Sequence, residues 1–168
     1  MTKIESSSST HSNGAEEEFL SFVLGDENYA LDIMSVKEIR GYEAVTKIAN
    51  APVFVKGVLN LRGDIVPIVD LRMKFDIGQA TYDEFTIVIM LCVNERIVGV
   101  VVDAVSDVVK LSAQEILPPP EFGVSFDNRF LRGLATVDNK MIILVNIAAL
   151  IGSDELGLMD VNATAGQE

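Results

Sequence analysis

Short runs of aliphatic and β-branched residues alternate along the chain with small clusters of turn residues, a spacing that predicts an almost entirely β structure. Phe19–Leu24 and Tyr29–Ile33 flank Gly25-Asp26-Glu27, which reads as a hairpin. Val53–Arg62 and Ile65–Leu71 flank Gly63-Asp64, a two-residue connection of the hairpin type. Phe85–Val93 and Arg96–Asp103 meet at Asn94-Glu95, and Phe130–Val137 and Met141–Val145 meet at Asp138-Asn139-Lys140. Pro67 has no N–H to give a ladder, so it is expected on an edge or at a bulge. Helical signals are few. Asp32 can cap a short helix over Ile33–Arg40, stopped by Gly41, with Glu38 turned to solvent. Ser153 can cap another over Asp154–Asp160, and Ile147–Ile151 adds a turn before it. The pattern predicts about ten strands with two or three short helices.

The segment Phe54–Leu71 aligns without a gap on Phe130–Ile147. Gly57 falls on Gly133, Lys56 on Arg132, Gly63-Asp64 on Asn139-Lys140, Val69 on Val145 and Asp70 on Asn146. A weaker match joins Leu20–Leu24 to Ile89–Val93, and Val36–Ile39 to Val105–Val108. The chain therefore reads as two similar halves, 17–80 and 85–147, within one folded unit of 16–160 that ends in short helices over 147–160. Each half is expected to curl its five strands into a small barrel, which hides sheet edges, with the two barrels sharing a hydrophobic core. Gly57 and Gly133 are expected where a strand bends or another backbone approaches. Residues 1–15 have the composition of a disordered tail, and 161–168 that of a frayed end.

Composition narrows the function more than the fold. Of 168 residues 49% are hydrophobic, yet the richest stretches, Ile87–Val93 and Ile97–Val102, are far short of the ~20 residues of a membrane-spanning helix. No secretory signal pattern opens the chain, and the lone Cys92 can form no internal disulfide, so a cytoplasmic location is expected. The net charge of −12, with lysines and arginines scattered singly, argues against nucleic acid and against direct membrane contact. The single histidine, His11, lies in the tail, which leaves the folded part without the usual base of a catalytic triad or a zinc-binding cluster. No glycine-rich phosphate loop occurs. Asp32, Asp70 and Asp103 each end an apolar run and read as caps rather than as an acid–base pair. Arg62-Gly63-Asp64 at a hairpin tip and Pro118-Pro119-Pro120 are read as a turn and a stiff connector. No catalytic, cofactor or metal residue is assigned, and a binding module is expected.

Asn60-Leu61-Arg62-Gly63 followed by Ile65–Leu71, together with Val36–Gly41, Gly99–Asp103, Val105–Val108 and Leu131–Leu134, closely resembles the CheW family of bacterial chemotaxis adaptors over about 17–160. That resemblance implies two intertwined SH3-like five-stranded barrels and no enzymatic activity. It implies as partners the cytoplasmic hairpin tip of methyl-accepting chemoreceptors, the regulatory domain of the histidine kinase CheA, and other CheW copies in rings of a membrane-associated array. Carried over by motif, Val36, Glu38, Ile39, Arg62, Gly99, Val105 and Val108 are the implied receptor-binding residues. Val45, Ile48, Gly57, Val58, Ile65 and Val66 are the implied kinase-binding residues. The rival readings are a CheW-like module of a CheV-type adaptor and, more remotely, a small ligand-binding barrel.

Overall fold

A computed structural model describes residues 16–77, 81–119 and 128–151. Among these residues the chain forms ten strands: β1 (Glu17–Leu24), β2 (Glu27–Asp32), β3 (Val36–Gly41), β4 (Val55–Leu61), β5 (Asp64–Asp70), β6 (Ile87–Val93), β7 (Arg96–Val102), β8 (Ala104–Leu111), β9 (Leu131–Val137) and β10 (Lys140–Val145). Short helices Leu71–Lys74 and Ile147–Ile151 follow β5 and β10 at equivalent places in the two repeats. The all-β expectation holds. The expected tails and the helix capped by Ser153 lie outside the described residues.

The four hairpins turn on two residues each, because Leu24 pairs with Glu27, Leu61 with Asp64, Val93 with Arg96 and Val137 with Lys140. The β4–β5 loop is thus Arg62-Gly63, one residue earlier than expected, and Glu27 and Lys140 belong to strands. At Arg62-Gly63, Asn94-Glu95 and Asp138-Asn139 both central residues have positive φ, the turn geometry whose twist matches the flanking strands.

Two local expectations are corrected. Asp32 does cap, its carboxylate accepting from the Met34 N–H at 2.9 Å, but the turn it starts is a three-residue 3₁₀ segment, Ile33–Ser35. The expected helix gives way at Val36 to strand β3, which pairs with β6, so Gly41 ends a strand and Glu38 lies on one. The β-branched Val36 and Ile39 suit that pairing, and a ladder to β6 outweighs a marginal helix of two turns. Pro67 lies in neither an edge strand nor a bulge. It is inside β5, opposite Val58 and one residue before pairing to β7 begins at Ile68, where its missing N–H is tolerated.

The strands form two sheets, ordered β8-β1-β2-β10-β9 and β3-β6-β7-β5-β4. Each sheet takes its first hairpin from one half and three strands from the other. The boundaries expected at 17–80 and 85–147 therefore divide the repeat but not the sheets. The chain changes sheet twice, through Ile33–Ser35 between β2 and β3, and through the single residue Asp103 between β7 and β8.

This exchange creates three apolar layers. Phe19, Ala30, Leu111, Ala135, Ile142 and Leu144 fill the concave side of the first sheet. Leu59, Val66, Ile68, Val88, Met90 and Val101 fill that of the second. Between the sheets lies the largest layer, with Phe22, Leu24, Leu31, Ile89, Leu91 and Val100 among its members. The central strands are buried on both faces: in β6, Val88 and Met90 point one way while Ile89 and Leu91 point the other. That double burial explains the long apolar runs and the mean hydropathy of +0.33. Curling brings distant strands of each sheet together. Arg62 beside β4 meets Glu38 of β3 across the second sheet, and Arg132 of β9 pairs with Glu17 of β1 across the first. Gly57 and Gly133 serve equivalent close approaches: a Cβ at either would collide with a backbone carbonyl, of Thr46 or of Leu117. Thr46 and Leu117 are the residues that bridge to β4 at Val58 and to β9 at Leu134.

Val101 is fully buried within the second sheet. Val101→Asp strands a carboxylate there and is expected to cost about 4 kcal/mol or more, enough to abolish a cooperative melt. Ile39→Asp, at a position 44% exposed, is expected to melt like the unmodified protein; circular dichroism against temperature compares the two.

Candidate functional site

The polar centre of the molecule is a buried ion pair. Asp70 and Arg72 are 0% and 1% exposed. Arg72 binds Asp70 with two prongs, Nε to Oδ1 at 3.1 Å and Nη2 to Oδ2 at 3.0 Å. Its Nη1 reaches Asp103 Oδ1 at 2.7 Å and the Thr81 carbonyl at 2.8 Å. The Tyr82 hydroxyl donates to Asp70, and the Arg72 guanidinium lies 5.0 Å from the centre of the Tyr82 ring. Asp70 also caps the helix Leu71–Lys74 by accepting from the Arg72 N–H at 2.9 Å. Burial by itself works against a charged guanidinium. The hydrogen bonds and charges of Asp70 and Asp103 outweigh it and hold the Arg72 pKa above its usual value. Burial, then the hydrogen bond to Asp70 and its charge, push the Tyr82 phenol well above 10.0. The aspartates singled out in the sequence act as structural anchors, as their places at the ends of apolar runs suggested.

Around this centre the implied binding residues fall into separate patches. Val36, Glu38 and Ile39 lie on β3, and Glu38 Oε1 is 3.6 Å from Arg62 Nη2 at the β4–β5 tip, so these four are brought together. Glu38 also pairs with Arg40 at 3.3 Å, and Arg40 with Glu43 at 2.5 Å, extending a charged row that the sequence reading did not pick out. Its signal was the close spacing of the alternating charges Glu38, Arg40 and Glu43 on one short segment. Val105 and Val108 lie on β8 in the other sheet, Val108 51% exposed and Val105 packed on the shared core. Gly99 is buried in β7, where a Cβ would meet Ile68, Val88 and Met90; its place is one of packing.

Of the second set, Val45 borders Thr46, which bridges to Val58, and Ile65 and Val66 lie on β5 beside it, so these group on the β4–β5 hairpin. Ile65 is 54% exposed, whereas Val66 is core and Gly57 is covered by Thr46. Ile48 is half-buried outside any strand. Among the described residues, no group of three or more His, Cys, Asp or Glu side chains is placed to hold a metal ion. No helix of the described residues is long and apolar enough to cross a membrane.

Two curled five-stranded sheets that exchange strands define a class of paired small β-barrels, and comparison with known proteins identifies the family. A family model for the CheW-like domain matches residues 18–155. The chain is 54% identical over 144 residues to the chemotaxis protein CheW of Klebsiella aerogenes, covering 86% of this chain and 87% of that one. It is 36% identical over 145 residues to the chemotaxis protein CheW of Rhizobium meliloti, covering 86% and 94%. The crystal structure of a scaffolding protein, CheW from Thermoanaerobacter tengcongensis, superposes with a TM-score of 0.75 at 34% identity, covering 83% of this chain and 94% of that chain. The chain belongs to the CheW-like family, whose members are chemotaxis adaptors.

Burial of Tyr82, together with its hydrogen bond to Asp70, predicts an alkaline dependence of stability. Because the folded phenol has a pKa raised above 10.0, the unfolded chain loses that proton first; the stabilisation is complete below pH 10 and declines as pH rises beyond it. Tyr29 and Tyr42, raised chiefly by burial, act in the same direction. Tyr82→Phe is expected to lose about 2 kcal/mol at pH 7 with its bond to Asp70, and to show a shallower fall in Tm above pH 10 than the parent chain.

Proposed function

We propose that this chain is a non-catalytic cytoplasmic adaptor that couples methyl-accepting chemoreceptors to the histidine kinase CheA and places kinase activity under receptor control. The observation that carries the proposal is the match to CheW proteins across nearly the whole folded part of the chain, at up to 54% identity among those compared. The cytoplasmic hairpin tip of the receptor would engage β3 and the Arg62 turn, where Ile39 is exposed beside the Glu38–Arg62 pair, and β8 of the other sheet, where Val108 is exposed. The regulatory domain of the kinase would engage the β4–β5 hairpin around Val58 and Ile65. The two implied sets meet at this hairpin, since Arg62 is its turn and Ile65 follows closely, so the two partners would sit side by side on the adaptor. Other CheW copies in array rings are further partners of this reading, and contact with both receptor and kinase recruits the chain to membrane-associated arrays. An adaptor needs complementary surfaces rather than a reactive centre, in keeping with the anchoring work that Asp32, Asp70 and Asp103 already perform.

Co-sedimentation with receptor-containing membranes, with and without kinase, tests both contacts together. Arg62 is 74% exposed and Glu38 30%, so Glu38→Lys and Arg62→Glu are each expected to change stability by about 1 kcal/mol or less. At an interface such a reversal costs about 2–5 kcal/mol, or roughly thirtyfold and more in affinity. Both variants should melt like the parent chain and lose receptor control of the kinase; full control in either places that residue outside the interface. Bridging has a second signature. Receptor-dependent kinase activity should rise and then fall as the adaptor is added, because excess copies occupy receptor and kinase separately. A plateau that persists argues against simple bridging.

A further inference from the structure

Asp103 is the one residue between β7, in the second sheet, and β8, in the first. It is held at three points. Its N–H donates to the Val23 carbonyl at 3.0 Å, Oδ1 accepts from Arg72 Nη1 at 2.7 Å, and Oδ2 accepts from the Gly25 N–H at 2.7 Å. These contacts join three places in the fold: the buried Arg72 after β5, the β1–β2 turn, and the start of β8 at Ala104.

The strand that follows is fixed by pairing on one side only. β8 lies at the edge of its sheet and pairs only with β1. That pairing is interrupted: Leu20 faces Val108 and Phe22 faces Val105, so Ser106 and Asp107 together stand opposite Ser21 alone. The bulge falls between Val105 and Val108. A bulged edge strand held on one side can slip or twist, and each such change re-aims its side chains.

We propose that Asp103, clamped by Arg72 and Gly25, is the positioning residue that sets the direction and register of β8, and so presents Val108 to a partner. The part of this concerning the partner rests on the adaptor reading above; the part concerning β8 does not. Arg72 suits the role because Asp70 holds it independently. The guanidinium stays in place whatever happens at Asp103, so the clamp has a fixed jaw.

Asp103→Asn is the discriminating variant. The carboxylate receives a donor on each oxygen, but an asparagine can accept on only one, and its amide nitrogen then faces the other donor. Arg72 keeps both bonds to Asp70, so the core remains paired. In the full chain, amide exchange followed by mass spectrometry should speed by about tenfold or more over Val105–Lys110, while β6 and β7 keep their protection. Affinity for a receptor hairpin fragment should fall about tenfold, and affinity for the isolated kinase regulatory domain should not move. Unchanged exchange over β8 overturns the proposal. So does loss of both affinities together with a lower Tm, which would make Asp103 an ordinary stability residue. If the unmodified chain itself binds no receptor fragment, the adaptor reading fails, while the exchange comparison still decides the positioning role.

Discussion

One buried ion pair, Arg72 with Asp70, ties together parts of the chain that are far apart in sequence. Arg72 lies where β5 ends, and its guanidinium contacts Asp70, Asp103 and the Thr81 carbonyl while almost no part of it reaches solvent. An ion pair so placed adds little to net stability compared with apolar residues of the same volume, since desolvation offsets much of the attraction. Its effect is on uniqueness. Removing one partner costs about 3–5 kcal/mol, so alternative packings that separate Arg72 from its carboxylates are disfavoured by that amount. The apolar layers could slide over one another at small cost; the guanidinium, with fixed directions for its N–H groups, could not.

The internal repeat makes the selectivity visible. Asp70 and Asn146 occupy equivalent places: each N–H donates to the carbonyl of an equivalent phenylalanine, Phe54 at 2.8 Å and Phe130 at 2.7 Å. Each side chain caps the short helix that follows. The halves diverge two residues later, where the first has Arg72 and the second Ala148. One half therefore carries a charged lock and the other a neutral cap on the same backbone frame. Lys74 adds a second asymmetric tie, its ammonium 4.5 Å from the Phe54 ring and 4.7 Å from that of Phe130, between the two equivalent aromatics.

Much of this architecture was legible in the amino-acid sequence, and the parts that were not share a cause. Hairpins announce themselves through local chemistry, so the turns at Asn94-Glu95 and beside Gly63 were found to within a residue. Arg62, read at a hairpin tip, is one of the two turn residues and is exposed. Exchange of strands between sheets leaves no such mark: Ile89 and Leu91 are equally apolar whether the strand beside them comes from their own half or the other. The segment after Asp32 was misread because a cap and an apolar spacing of three describe a helix and a short turn followed by a strand equally well; β6, far away in sequence, decides between them. Gly99 and Val66 show the same limit at the candidate site. A family motif marks recurring positions, and it does not separate surface residues from those that pack beneath them.

The exchange of hairpins also bears on how the chain is made. β2 lies between β1 and β10, and the latter begins more than a hundred residues further on. At about 5–20 residues per second, the first hairpin leaves the ribosome several seconds before the strands that cover it exist. During that interval Phe22, Leu24, Tyr29 and Leu31 have no shared layer to enter. Nascent chains are therefore vulnerable to capture by one another, and the strong acidity of the polypeptide gives them mutual repulsion while they wait.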